Sequence, residues 1–242
     1  MPIARVSGQT PQANGANTVQ TIAITLPQNV VAGNFIGCIG GSQNSNAHIY
    51  SDNLANSFAN DVSRDRAVDA NHCSIGTAKN ISTGGAATIT LSQDGTPANA
   101  RMGIAGMEWS GFSGGAALDK TFSNDSAGTP GTSIDTGATA ATTANDELLL
   151  AGVKDSNNGV PYTWGSSFSL IAETGSAAGR TSSGDRIVTA TGTYNGTATA
   201  SNSIAWAAVI ATYKAAAGGA ALTHDFSRFP IEKLRTPSES FL

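Results

Sequence analysis

Charge is the scarcest feature of this sequence. Only 12% of its 242 residues are Asp, Glu, Lys or Arg, against about 25% in an ordinary globular chain. A long exposed helix needs Glu, Lys and Arg along its wet face, so the shortage argues against a helical protein. Cysteine is nearly absent. Cys38 and Cys73 are the only two, too few for a disulfide framework. Each lies in an apolar or small-residue segment, so buried free thiols are expected, with a Cys38–Cys73 bridge as the alternative. No apolar run approaches the ~18 residues of a membrane span. The net charge is −4 and there is no basic stripe, so neither nucleic acid nor a membrane is an expected partner. The start, Met1-Pro2-Ile3-Ala4-Arg5, lacks the charged-then-apolar order of a secretion signal.

Thr, Ser, Asn, Gly and Ala fill the space that charge leaves. They favour short strands with hydroxyl-bearing outer faces and many tight turns. Ile22, Ile24 and Leu26 alternate within Thr18–Leu26, and Pro27 is expected to end that strand. Further strands are expected at Phe35–Gly40, Ala47–Tyr50, Cys73–Ala78, Ala87–Leu91 and Ala100–Trp109. The last of these changes apolar phase between Ile104 and Met107, which suggests a bulge near Gly106. Leu148–Val153 is a continuous apolar run of strand length, expected to be buried on both sides. Ser167–Ile171, Arg186–Ala190 and Tyr194–Ala200 follow. Ile204–Tyr213 closes the body; its larger residues alternate with smaller ones, so strand is preferred over helix. Segments 57–71 and 110–137 read as a long loop and a long connection. Roughly eleven strands at this spacing predict an all-β, two-sheet antiparallel β-sandwich.

The composition breaks after residue 214. Residues 215–221 are an Ala/Gly linker, and 222–242 hold Phe226, Phe229, Ile231, Leu234, Phe241 and Leu242 among balanced charges. The expected organisation is a sandwich body over 1–214, a linker, and an extended C-terminal arm that docks on a partner through those six apolar side chains.

Little catalytic chemistry is visible. His48, His72 and His224 have no metal-binding spacing, and there is no nucleophile elbow or phosphate loop. No metal, cofactor or enzymatic activity is expected. Asp52, Asp61, Asp65 and Asp69 offer the hard oxygen donors of a calcium site, but Arg64 and Arg66 lie among them, so ion pairing is the expected role. Tyr162 and Trp164, beside Pro161, are the best candidates for an exposed pair that stacks on glycans.

The order of several short motifs over about residues 17–214 resembles a jelly-roll-like domain of bacteriophage structural proteins, of the head-decoration or fibre type, and of bacterial extracellular proteins. Val30-Val31-Ala32-Gly33-Asn34 resembles its entry to a strand. Asp52-Asn53-Leu54-Ala55-Asn56-Ser57-Phe58 resembles an Asp-Asn-x-Gly-Asn-x-aromatic turn, with Ala55 in place of Gly. Ala78–Ile81 with Ala87–Leu91 resembles its central hairpin. Glu108–Phe112, Leu118-Asp119, Asn145–Leu150 and Ala205–Val209 match further segments. The resemblance implies a jelly-roll-like sandwich without catalytic residues. It also implies a virion protein made in the host cytoplasm, whose partners are other capsid or tail proteins and copies of itself. A carbohydrate-binding module for host-surface glycans is the alternative, and an accessory domain of a secreted enzyme is a further one.

Overall fold

A computed structural model describes residues 1–82, 84–95, 99–112, 115–156, 160–165, 167–174 and 179–215. The arm, most of the linker and His224 lie outside the described residues. Every regular element among the described residues is a strand, and every pairing is antiparallel.

A two-residue strand, β1 (Ala4–Arg5), opens the chain. Eight strands follow: β2 (Gln12–Val19), β3 (Thr21–Asn29), β4 (Phe35–Gln43), β5 (His48–Asp52), β6 (Phe58–Arg66), β7 (Asn71–Ala78), β8 (Ala86–Gln93) and β9 (Ala100–Ser110). Eight more come after a short link: β10 (Ala116–Asp125), β11 (Gly131–Asp135), β12 (Glu147–Asp155), β13 (Tyr162–Trp164), β14 (Ser169–Glu173), β15 (Thr181–Val188), β16 (Thr197–Ile204) and β17 (Trp206–Ala215).

The second eight repeat the topology of the first. In the N-terminal half one sheet runs β2-β9-β4-β7-β6, with β1 also on β9, and the other runs β3-β8-β5. In the C-terminal half the sheets run β10-β17-β12-β15-β14 and β11-β16-β13. Numbered within a half, both read 1-8-3-6-5 and 2-7-4. That is jelly-roll-like, except that the fifth strand pairs with the sixth. The expected β-sandwich is therefore present, and present twice.

Four apolar clusters place the layers. One cluster fills the N-terminal half, with Ile24 and Leu26 of β3 and Ile89 and Leu91 of β8 against Ile36 and Cys38 of β4 and Ile104 of β9. Two fill the C-terminal half, around Ile134, Tyr162 and Trp206, and around Leu149, Phe168 and Ile210. The fourth lies between the halves. There Phe35, Ile39, Ile75, Met107 and Trp109 meet Leu148, Leu150, Val209, Ala211 and Tyr213. The two large sheets thus pack face to face as inner layers, and the two three-stranded sheets lie outside them.

This layering explains where the sequence misled. β12 is buried at every position, as its apolar run predicted, and Ile204–Tyr213 is strand apart from Ala205, which separates β16 from β17. β9 pairs with β4 without a register shift from Met102 to Trp109, so the bulge expected near Gly106 is absent. Its phase appeared to change because both of its faces are covered, one by each cluster. The expected loop at 57–71 contains β6, and the expected connection at 110–137 contains β10 and β11. β6 and β10 are sheet edges that bury little apolar surface, so neither has a clear period of two. Pro27 does not end β3, which lies at the edge of its sheet and runs on to Asn29 after a register shift. What reads as one strand from Thr18 is the junction of β2 and β3, with Thr18 at φ 59°.

The face-to-face contact depends on absent side chains. A Cβ on Gly37 of β4 would sit 2.5 Å from Leu150 Cδ1, and one on Gly41 would sit 2.5 Å from Lys154 Cδ. Reciprocally, Ile39 lies over Gly152 of β12. Large residues on one strand therefore fill gaps on the other, at alternate positions. Gly152→Val is expected to lower the unfolding free energy by about 1–3 kcal/mol through overpacking, read as a lower urea midpoint. Gly131→Ala, with open space around it, is the control and is expected to stay within about 0.5 kcal/mol.

The turn after β5 supports a second prediction. Asp52 Oδ1 accepts the Leu54 and Asn56 amides at 3.1 and 2.9 Å. This holds Ala55 at φ 58°, in the left-handed region, where an L-residue costs about 1–2 kcal/mol. Ala55→Gly is expected to raise the thermal midpoint by a few degrees, since about 1 kcal/mol moves a domain of this size by about 2–4 °C.

Candidate functional site

Several polar groups and one aromatic pair are the places where chemistry could reside. The first cluster is inside the N-terminal half. His48 Nδ1 lies 2.6 Å from Ser74 Oγ, and its Nε2 lies 2.9 Å from Ser42 Oγ. Tyr50 Oη is 2.7 Å from the same Ser74 hydroxyl. The His48 and His72 rings meet at 4.3 Å, and His72 Nδ1 is 2.5 Å from Asp65. A hydroxyl beside an imidazole is the raw material of a nucleophile and its base. Here, however, Ser42 and Ser74 have no exposed surface and His48 is buried. Burial, followed by the nearby His72 and Lys154, pushes His48 well below the usual histidine range, so its imidazole is neutral. The network ties β4, β5 and β7 together, away from solvent.

The aspartates with the donors of a cation site are dispersed along β6 and its turns. Asp52 caps its own turn. Asp61 accepts from Lys79, Thr77 and Tyr213. Asp65 meets His72, and Asp69 pairs with Arg66 at 2.7 Å. Arg64 reaches Asp125 of the C-terminal half at 2.5 Å. Among the described residues no group of His, Cys, Asp and Glu is placed to hold a metal ion.

Cys38 and Cys73 are free and buried. The register pairs Cys38 with Gly76 and Cys73 with Gly41, which puts the thiols on opposite faces of one sheet and rules out a bridge between them. Burial pushes the Cys73 thiol up to about 12 and that of Cys38 higher still, so neither is a ready nucleophile.

Tyr162 and Trp164 do not form the exposed pair expected of a glycan platform. Tyr162 is only 8% exposed, and its hydroxyl donates to the buried Asp155. Trp164 lies across Gly184, donates its indole N–H to Ser182 Oγ at 3.0 Å and packs against Phe168. It has a counterpart in the other half, where Tyr50 lies across Gly76 with its hydroxyl on Ser74. Both aromatics thus hold the same position in their halves, Tyr50 buried in the core and Trp164 half-buried against it.

The seam between the halves carries polar groups that sequence reasoning had not singled out. Trp109 of β9 donates to Asp185 of β15 at 3.0 Å. Tyr213 of β17 donates to Asp61 of β6 at 2.9 Å. Trp109 pairs with Phe35 on β4, and Tyr213 pairs with Leu148 on β12, so the two donors hold equivalent places and each crosses the seam. Arg5 adds two bonds to Asp185, at 2.9 and 2.6 Å. A shallow groove of about 570 Å³ opens beside this clamp, lined by Arg5, Ser167, Ser169, Asp185, Arg186 and Ile187.

At the end of β17, Lys214 Nζ donates to Asp119 at 2.8 Å, and Thr143 caps the same carboxylate. Burial alone would raise Asp119, but the Lys214 ammonium and the Thr143 donors override it and hold the carboxyl below its usual range. The neighbouring Glu147 is pushed up, mainly by burial. The strand that leads to the arm is thereby pinned to β10 and to the loop before β12.

Lys154 is 1% exposed, with Nζ donating to the Asp155 carbonyl at 2.6 Å. Burial lowers it to about 8 despite the favourable Asp155 charge. The unfolded chain therefore binds more protons than the folded one between about pH 8 and the ordinary lysine value. The cost of charging Lys154 is fully present below pH 8 and disappears as pH rises through that window. Each tenfold change in proton affinity is worth about 1.36 kcal/mol. Lys154→Met is therefore expected to stabilise the protein at pH 7 by up to about 3 kcal/mol. The advantage over wild type should shrink as the pH is raised to 10, in urea titrations of both proteins.

Compared with family models, curated proteins and solved structures, the chain finds no match.

Proposed function

We propose that the protein is a non-enzymatic structural component of a bacteriophage virion, a capsid decoration or a head or tail fibre subunit, anchored through its C-terminal arm. The observation that carries this reading is a contrast within the chain. Among the described residues of the body, the Ser42–His48–Ser74 network and both thiols are buried, and Asp61, Asp69, Asp125 and Asp185 are engaged by side-chain donors. The arm offers Phe226, Phe229, Ile231, Leu234, Phe241 and Leu242 within 21 residues of different composition. The motif resemblance over the body supports the same reading. The glycan-binding alternative required Tyr162 and Trp164 to be exposed together, and it has no other support.

The energetics favour attachment in arrays. Burying side chains of this kind gains about 1.5–3 kcal/mol each, and ordering the arm costs about 1–2 kcal/mol per residue. A single arm therefore binds weakly, and many copies on one particle hold firmly through avidity. Partners on this reading are other capsid or tail proteins and neighbouring copies of the chain. Deleting residues 222–242 is expected to leave the thermal midpoint of the body within a few degrees and to abolish incorporation into particles. Particles that take up the truncated chain at the normal level would rule the anchoring role out.

A further inference from the structure

We infer that the seam is a homotypic interface: each eight-stranded unit docks, inner sheet on inner sheet, against another unit of the same fold, and this chain joins two such units. Three observations carry the inference. The strand order is the same in both halves. The internal fixtures coincide, with Tyr50 over Gly76 and bonded to Ser74 in one, and Trp164 over Gly184 and bonded to Ser182 in the other. The contacts across the seam also exchange with the halves. β6 lies beside β10, and their counterparts β14 and β2 lie beside each other. β9 likewise lies beside β15, as their counterparts β17 and β7 do; Trp109 and its counterpart Tyr213 both donate across the seam, to Asp185 on β15 and to Asp61 on β6.

The glycines add which unit prefers which. Matching Trp109 to Tyr213 through their strand partners matches Phe35 to Leu148, and so Gly37 to Leu150, Ile39 to Gly152 and Gly41 to Lys154. These matched positions are the ones that touch. In a pair of identical units each would meet its own copy. Gly37 against Gly37 leaves a gap, and Leu150 against Leu150 puts two side chains in the space of one. The two units have complementary faces, so the N-terminal unit takes the C-terminal unit as its partner in preference to a second copy of itself.

The test starts from the folded full-length chain carrying a protease site between Phe112 and Gly115. After cleavage the two pieces are expected to stay together at the mass of the intact chain. The thermal midpoint should fall on dilution, as for a bimolecular complex, while that of the uncut protein is independent of concentration. Cut chains with two isotopic labels are then mixed through a denaturation cycle and read by native mass spectrometry. Mixed-label pairs of one N-terminal and one C-terminal piece are expected. Pieces that separate on cutting, or that lose their strand signal, would overturn the interface. Like pairs as abundant as unlike pairs would overturn the complementarity.

Discussion

The whole structure depends on how closely two sheets approach across the seam. β4 and β12 place a large residue over a glycine at successive alternate positions: Leu150 over Gly37, Ile39 over Gly152, Lys154 over Gly41. A sheet in the inner layer has no wet face, so its strands must be apolar or small on both sides. β4, β7, β9 and β12 meet that demand at most positions with small or apolar residues, and buried polar ones such as His72, Glu108 and Lys154 have hydrogen-bond partners. The low charge of the sequence follows. With two of four layers enclosed, charged residues have few places to stand except edges, turns and the two outer faces.

The charges that do enter the seam work in pairs. Asp185 accepts from Trp109 and twice from Arg5, and Asp61 accepts from Tyr213, Thr77 and Lys79. A buried carboxylate with three or more donors is satisfied, and removing one donor leaves a costly orphan. Such clamps add little net stability but penalise any other alignment of the two halves. Lys154 is the exception. Its stem packs over Gly41, but its ammonium is held at an energetic cost, and so it is the seam residue whose replacement should stabilise.

Much of this was readable from the residues, and the failures have a common cause. Leu148–Val153 announced a doubly covered strand because its run is unbroken. The burial of the two thiols followed from their apolar neighbours. β6 and β10 went unseen because an edge strand that meets the other half through Arg64–Asp125 needs polar side chains where a lone sandwich would show apolar ones. The apparent phase change in β9 came from the same double burial. Tyr162 and Trp164 looked exposed because loop-like neighbours surround them, whereas Gly184 and Ser182, which receive the indole, lie about twenty residues away in sequence. The repeat itself rests on a few positions, such as Thr90-x-Ser92 and Thr197-x-Thr199 on β8 and β16. Turns of different length separate them, so no constant period appears.

Joining two matched units in one chain has a consequence for attachment. A dimer of separate identical units would carry two equivalent ends, one from each last strand. Here the first of those ends, after β9, is used as the short link into β10, and only the second, after β17, continues toward the arm. A body of two units then has a single arm. With two arms, related by the exchange of halves, each molecule would engage two surfaces and cross-link particles. If the arm anchors the protein as proposed, one arm following the strand that ends beside the Lys214–Asp119 bond attaches a molecule once and in one orientation. On the proposed reading, that is the useful property of the fusion: the exchangeable geometry builds a closed body, and the arm, which the exchange does not duplicate, is the part that binds.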